Sequence, residues 1–181
     1  MQTEHALIAS NFSCDKSCGN PDHFNEYLRY YAISDIKTGM GVTHICCGFD
    51  DSGMPVKIIG FVTIKTSSVI TDDDGTFNGK PAVEISELAV DEAWVRQGFG
   101  TMLVKYALAK IAETKTNIGV RYVVVCADEQ AVEFYKKVGF DSLSSIYEIP
   151  REEWNAGCIP MYIDLSLCNE PVYSEDDEEE D

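Results

Sequence analysis

Apolar and polar positions along this chain follow two rhythms. Phe99, Met102, Leu103, Tyr106, Ala107 and Ile111 recur near helical spacing, which predicts a helix from Gly98 to about Lys115. Phe24, Tyr27, Leu28, Tyr31 and Ala32 repeat the rhythm behind Asn20-Pro21-Asp22. There Asn20 suits the cap, Pro21 the first helical position, and Gly39 and Gly41 bracket the exit. Shorter apolar runs predict strands over residues 5–10, 42–49, 56–66, 83–90, 120–126, 146–149 and 159–165. Asp50-Asp51-Ser52-Gly53 reads as a turn that makes residues 42–49 and 56–66 a hairpin. Residues 71–80, with three aspartates and two glycines, read as a loop. An EF-hand reading of Asp72-Asp73-Asp74-Gly75 fails, because the ligand ladder and terminal Glu are absent. Residues 120–126 are almost continuously apolar, as befits a strand covered on both faces. Asp128 is expected to cap a short helix through Lys137, ended by Gly139. The resulting order, β-α-β-β-β-α-β-α-β-β, is that of an α/β protein, and no internal repeat is visible.

Composition narrows the class. At 181 residues the chain suits one domain with a sizeable core. Residues 1–168 are expected to form that domain and residues 169–181 an acidic, disordered tail. The net charge is −17, and the last seven residues are all acidic. The remainder therefore carries about −10, which disfavours a large nucleic-acid footprint. No run is long and apolar enough to span a bilayer and the N-terminus lacks a basic, apolar signal, so a cytoplasmic protein without membrane contact is expected. Seven cysteines, an odd number without secretory context, predict reduced thiols rather than a disulfide frame. Cys14, Cys18, His23, His44, Cys46 and Cys47 could assemble a zinc site on paper. Their spacing lacks a paired C-x2-C knuckle, so no metal is expected. Cys126, inside a strand, reads as a small buried apolar residue.

The stretch with the clearest chemistry is Gly98-Phe99-Gly100, between a strand and a helix. Glycines there let the backbone approach a ligand, and the first helical N–H groups are unpaired donors at the positive end of the helix dipole. A phosphate is the natural guest. The surrounding VDEAWVRQGFGTML, residues 90–103, resembles motif A of the GNAT N-acetyltransferases, Q/R-x-x-G-x-G/A. AVEFYKKVGF, residues 131–140, resembles their motif B, A-x-x-F-Y-x-x-x-G-F, with Ala131, Phe134, Tyr135, Gly139 and Phe140 in register. The first motif A position departs from the pattern: it is Val95, and the basic residue falls one place later, at Arg96. A lone glycine pair would be weak, but two motifs in order with a strand between them are specific.

The resemblance implies a GNAT acyl-CoA N-acyltransferase fold, a mixed, mostly antiparallel sheet flanked by helices. It implies acetyl-CoA as cosubstrate and direct attack of a primary amine on the thioester. On that basis Arg96, Gln97, Gly98, Phe99, Gly100 and Thr101 hold the pyrophosphate, chiefly through main-chain N–H groups. Leu88, Ala89 and Val90 line the pantetheine arm, one N–H facing the thioester oxygen. Tyr135 matches the motif B tyrosine that protonates the departing thiolate, a step suited to a phenol of pKa near ~10. Its alternative is a core tyrosine flanked by Phe134 and Phe140. Glu87 is the candidate base, directly or through water, or else the partner of a substrate ammonium. Glu84 is set aside because period-two counting puts it on the opposite strand face.

A looser resemblance reaches the N-terminal third. Phe12-x-Cys14, Cys18-Gly19 and a helix ending in Tyr27-Leu28-Arg29 look like the opening of toxin-type GNAT proteins, and PMYIDL, residues 160–165, looks like their last strand. Those relatives acetylate aminoacyl-tRNA, which makes tRNA an alternative acceptor to a small-molecule or peptide amine. The acidic charge opposes it, as does Glu87, where toxin-type relatives tend to be basic. A basic stripe from Lys105, Lys110, Lys115, Arg121, Lys136 and Lys137 would favour it. The remaining alternative is a catalytically silent acyl-CoA-binding module. A homodimer is compatible with the resemblance, many members being dimers.

Overall fold

The computed structural model describes residues 9–16, 18–73, 76–115, 117–145 and 157–166. Its first helix begins where the capping residues ask for it. The Asn20 side chain accepts the His23 N–H at 3.3 Å and Pro21 occupies the first turn of α1 (Pro21–Glu26). A π-helical turn, Tyr27–Tyr31, leads into α2 (Ala32–Thr38), which Gly39 closes in the left-handed region at φ 74°. β1 (Val42–Phe49), β2 (Pro55–Asp73) and β3 (Thr76–Val90) form an antiparallel meander. α3 (Phe99–Lys115) then crosses to β4 (Tyr122–Ala127), which lies parallel to β3. A 3-10 turn, Glu129–Ala131, precedes α4 (Val132–Lys137), and β5 (Asp141–Ser142) and β6 (Ile159–Asp164) finish a six-stranded sheet in the order β1-β2-β3-β4-β6-β5. The mixed, mostly antiparallel sheet with flanking helices is the expected architecture.

Each face of the sheet buries its own cluster. Val62, Val83, Ile85, Val123 and Val125 pack against Leu103, Val104, Ala107 and Ile111 of α3 and against Tyr135 and Phe140. On the other face Phe61 and Ala89 meet Phe12, Tyr27, Leu28 and Ala32. Phe61 is fully buried between Phe12, at 5.5 Å between ring centroids, and Tyr27, at 6.2 Å. Burying a side chain of this size contributes about 1.5–3 kcal/mol. The periodicities of the sequence therefore mark these faces in part: Leu103, Ala107 and Ile111 are buried, as are Tyr27, Leu28 and Ala32, whereas Tyr31, Met102 and Tyr106 are exposed.

Several expectations need correction. The described end of the run at residues 5–10, Ala9 and Ser10, is helical rather than extended, and residues 5–8 lie outside the described part. The loop expected over residues 71–80 is largely strand: β2 runs on to Asp73 and β3 starts at Thr76, with Thr71 opposite Asn78 and Ile70 opposite Gly79. Asp72, Asp73 and Gly79 are themselves paired in the ladder, in arms that also carry Val69, Ile70, Thr71, Thr76 and Phe77, residues that favour pleated backbone. Asp128 makes no side-chain cap hydrogen bond to the turn that follows it. The strand expected at residues 146–149 and the tail at 169–181 lie outside the described residues.

Glu84 and Glu87 share a face after all. Lys65 pairs with Glu84 and Thr63 with Glu87, while Ile64 pairs with Ile85, so Ser86 is an extra residue bulged out of register. The bulge resets the alternation and turns both carboxylates to the side of α1 and α2.

Candidate active site

β3 and β4 keep parallel register over only four pairs, Ala82 with Tyr122 to Ile85 with Val125. Beyond that point they part. A cavity of about 530 Å³ opens between Ser86–Val90 on one side and Cys126, Ala127 and Asp128 on the other. Its floor continues to Val95, Arg96 and Gly100, and its roof is made by Asp15, Cys18, Gly19, Asn20, His23 and Phe24 of the N-terminal segment and α1.

The loop at the floor has the backbone an anion site needs. Arg96 adopts a positive φ of 61° and Gly98 one of 88°. The Gly98 carbonyl accepts the Met102 N–H at 3.0 Å, so Gly98 caps α3 and the amides that follow it have no partner within the helix. Asp91 braces this loop. It is 1% exposed, bonds Lys57 Nζ at 3.0 Å, and accepts the Ala93 N–H at 3.1 Å and the Ser13 N–H at 3.2 Å. Cys14 bridges to the same residue, and the Glu92 N–H reaches Ser13 O at 2.8 Å. One buried carboxylate thus fastens the N-terminal roof to the floor.

Of the residues proposed from sequence, Glu87, Leu88, Ala89, Val90, Arg96, Gly100 and Tyr135 line this one cavity. Gln97, Gly98, Phe99 and Thr101 belong to the adjoining loop and helix start without lining it. Gln97 Nε2 turns back to Ala93 O at 3.2 Å, and Phe99 packs edge-on against Trp94 at 5.6 Å. Tyr135, 8% exposed, lies between Phe134 and Phe140 at 5.0 and 5.4 Å. Its ring is therefore core, as the alternative reading had it. Yet it also reaches the cavity, and among the described residues no hydrogen bond engages its hydroxyl. Burial pushes the phenol well up, and the charges of Asp128, Cys18 and Glu87 push the same way, so it stays protonated at neutral pH.

Glu87 has a partner that sequence reasoning missed. His23 Nε2 lies 3.0 Å from Glu87 Oε2, with the carboxylate side chain 14% exposed and the imidazole 50%. Burial raises the carboxyl above its ordinary value, and His23 and Lys65 offset that only in part. The sequence offered His23 only as a zinc candidate. Among the described residues, no three His, Cys, Asp or Glu side chains converge as metal ligands. The signal available was Asn20-Pro21, which fixes where α1 starts and so which residue its first turn presents.

The cysteines also differ from expectation. Cys126 is exposed at the end of β4 and joined to Cys158 in a disulfide, 5.5 Å between Cα atoms, which corrects both the buried-residue reading and the expectation of reduced thiols throughout. Cys14 and Cys18 are unbonded, with sulfurs 3.2 Å apart. The hydrogen bond from Cys14 draws the Cys18 thiol down and sends Cys14 up. Asp128, freed from capping, lies against Gly19, where an added Cβ would come within 2.7 Å of Oδ2.

The fit of acetyl-CoA is testable on Gly100. A Cβ there would meet only the Phe134 ring at 3.6 Å and Val90 Cγ2 at 3.8 Å, so nothing in the fold demands glycine. A pyrophosphate drawn up to the α3 amides does demand it. The parted strands beyond continue the same cavity, which Glu87 and Tyr135 also line.

Comparisons agree with this fold. A family model described as "Acetyltransferase (GNAT) family" matches residues 11–140. A structure described as a bacterial toxin superimposes with a TM-score of 0.69 at 18% identity, over 88% of this chain and 84% of that one. AtaT complexed with acetyl-methionyl-tRNAfMet gives 0.69 at 18%, over 88% and 89%. AtaTR bound with AcCoA gives 0.66 at 20%, over 88% and 86%. No helix among the described residues is long and apolar enough to cross a membrane. With its family model spanning β1 to β4, the glycine loop and Tyr135, this chain belongs to the GNAT acetyltransferase family, whose enzymes depend on acetyl-CoA.

Proposed function

We propose that this enzyme acetylates a small, cationic primary amine, or such an amine on a peptide, by direct attack on the thioester. The observation that carries the reading is that Glu87, Tyr135 and Gly100 line the same cavity. The acceptor side also carries Asp15 and Asp128, carboxylates that attract an ammonium and repel a phosphate. On this reading the Glu87 side of the cavity removes a proton from the ammonium. The free amine then forms a C–N bond to the carbonyl carbon as main-chain N–H groups at Leu88–Val90 stabilise the oxyanion. As the C–S bond breaks, Tyr135 supplies the proton that the thiolate takes up, and the proton lost by the new amide nitrogen restores the balance.

Aminoacyl-tRNA is a second reading, supported by the likeness to AtaT in its complex with acetyl-methionyl-tRNAfMet. The basic stripe that would favour it is largely engaged. Lys110 pairs with Glu113, Arg121 with Asp164 and Lys136 with Glu133, each at 2.8 Å, and Lys115 Nζ donates to Leu165 O at 2.7 Å. The test is Tyr135→Phe, assayed on a panel of amines and on charged tRNA. Loss of about 10²–10³ in kcat, with acetyl-CoA binding retained by calorimetry, supports transfer with Tyr135 as acid. Absence of parent turnover on every acceptor would leave only an acyl-CoA-binding module.

A further inference from the structure

We propose that His23, not Glu87, is the group that takes the proton from the acceptor ammonium, and that Glu87 is the positioning residue that holds His23 in the competent tautomer. The inference rests on the acetyl-transfer reading above. It starts from which nitrogen is engaged. His23 Nε2 is 3.0 Å from Glu87 Oε2, and a carboxylate can only accept, so at this distance Nε2 carries the hydrogen. The neutral ring then has its lone pair on Nδ1. Among the described residues nothing bonds Nδ1, and His23 lines the cavity that Tyr135 lines.

Position separates the two groups. The carboxylate lies beneath the imidazole, 14% exposed, on the strand face that the Ser86 bulge turns toward α1. The imidazole, 50% exposed, is the more open of the two, and both side chains line the cavity. A proton taken by Nδ1 of the half-exposed ring passes to bulk water more readily than one taken by the carboxylate. The imidazolium so formed keeps its Nε2–H bond to an anion, which stabilises the charge as it appears. The helix cap fixes where the residue sits, since the Asn20 side chain accepts the His23 backbone N–H, and the ring lies beside Phe24 at 5.4 Å and Tyr27 at 6.4 Å.

The step balances simply. R–NH3+ gives one proton to Nδ1, leaving R–NH2 and an imidazolium that releases the proton to solvent after transfer. The charged and titratable groups around the pair are Glu26 on its own helix, Lys65 and Glu84 on the sheet, Asp15 and Cys18 on the N-terminal segment, and Asp128 and Tyr135 across the cavity. Lys65 is paired with Glu84 at 3.3 Å.

Two readouts test this on the full chain. The chain has three histidines, so His23→Gln identifies the His23 signals in a nitrogen-15 spectrum of histidine-labelled protein. The Nε2–H tautomer is expected in the parent, with a mixture of tautomers in Glu87→Gln. An Nδ1–H tautomer in the parent overturns the proposal. In the second readout acetyl-CoA is turned over with simple aliphatic mono- and diamines across pH. His23→Gln is expected to lower kcat/KM by about 10²–10⁴ and abolish the acid limb of the profile, with KM for acetyl-CoA unchanged. Glu87→Gln is expected to lose less than His23→Gln. A His23→Gln enzyme with the parent rate and profile, beside an inactive Glu87→Gln, makes Glu87 the base and sinks the dyad alone. A parent that turns over no amine sinks the transfer reading, and the proposal with it.

Discussion

A Cβ on Gly100 has room, and one on Gly98 faces open space but a backbone at φ 88° that side chains resist. The two glycines therefore separate binding from stability. Gly100→Ala is expected to keep or slightly raise the melting temperature, because alanine is the better helix residue by about 0.5–1 kcal/mol. It is expected to weaken acetyl-CoA binding at least ~10-fold in a calorimetric titration, through a methyl group set against the approaching phosphates. Gly98→Ala is expected to cost about 1–2 kcal/mol of stability, from forcing a side chain into left-handed backbone. Equal affinity for Gly100→Ala and parent would remove the floor of the cavity as the pyrophosphate site. These residues were legible in the chain because each belongs to a local pattern: a glycine pair at a strand-to-helix junction, a tyrosine in a ten-residue motif. His23 was not. Its chemistry comes from Glu87, 64 positions away, and only the docking of α1 on β3 brings them together.

Elements show where local pattern stops being enough. The helices and the core strands could be read from apolar spacing, but the Ser86 bulge could not, since one extra residue shifts the faces without changing composition. The β2–β3 hairpin was shortened for a similar reason: Asp72, Asp73 and Gly79, residues that ordinarily mark loops, sit within its paired arms. β2 also contains a tight crossing that carries a measurable prediction. A Cβ at Gly60 would come within 2.8 Å of Ala89 O and 2.9 Å of Leu103 Cδ1. Leucine could rotate away; the carbonyl of β3 cannot. Gly60→Ala is expected to destabilise by about 1–3 kcal/mol, seen as a drop of several degrees in melting temperature, because overpacking must shift backbone. An unchanged melting temperature would mean that β2 and β3 approach each other less closely than they do here. Ala89 lines the cavity, so acetyl-CoA affinity should fall with it.

Across the whole molecule, the sheet is two pieces joined by a short seam. β1, β2 and β3 form one antiparallel unit and β4, β6 and β5 another, with only the pairs from Ala82–Tyr122 to Ile85–Val125 between them. The core clusters cross that line, but the backbone ladder barely does. Such a seam is where a folded chain opens first as a unit, and a ligand seated across it raises the free energy of that opening. Amide hydrogen exchange should therefore be slowed unequally by acetyl-CoA. At a hundredfold excess over Kd the seam amides of β3 and β4 are expected to slow by about 100-fold, while those at the outer edge of β1, which exchange by local fraying, stay at their own rate. Uniform slowing across all strands would instead mark the sheet as one cooperative block. If the seam responds alone, substrate does more than occupy the cleft: it is the missing rungs of the ladder, and the enzyme is most nearly a single sheet only while it is at work.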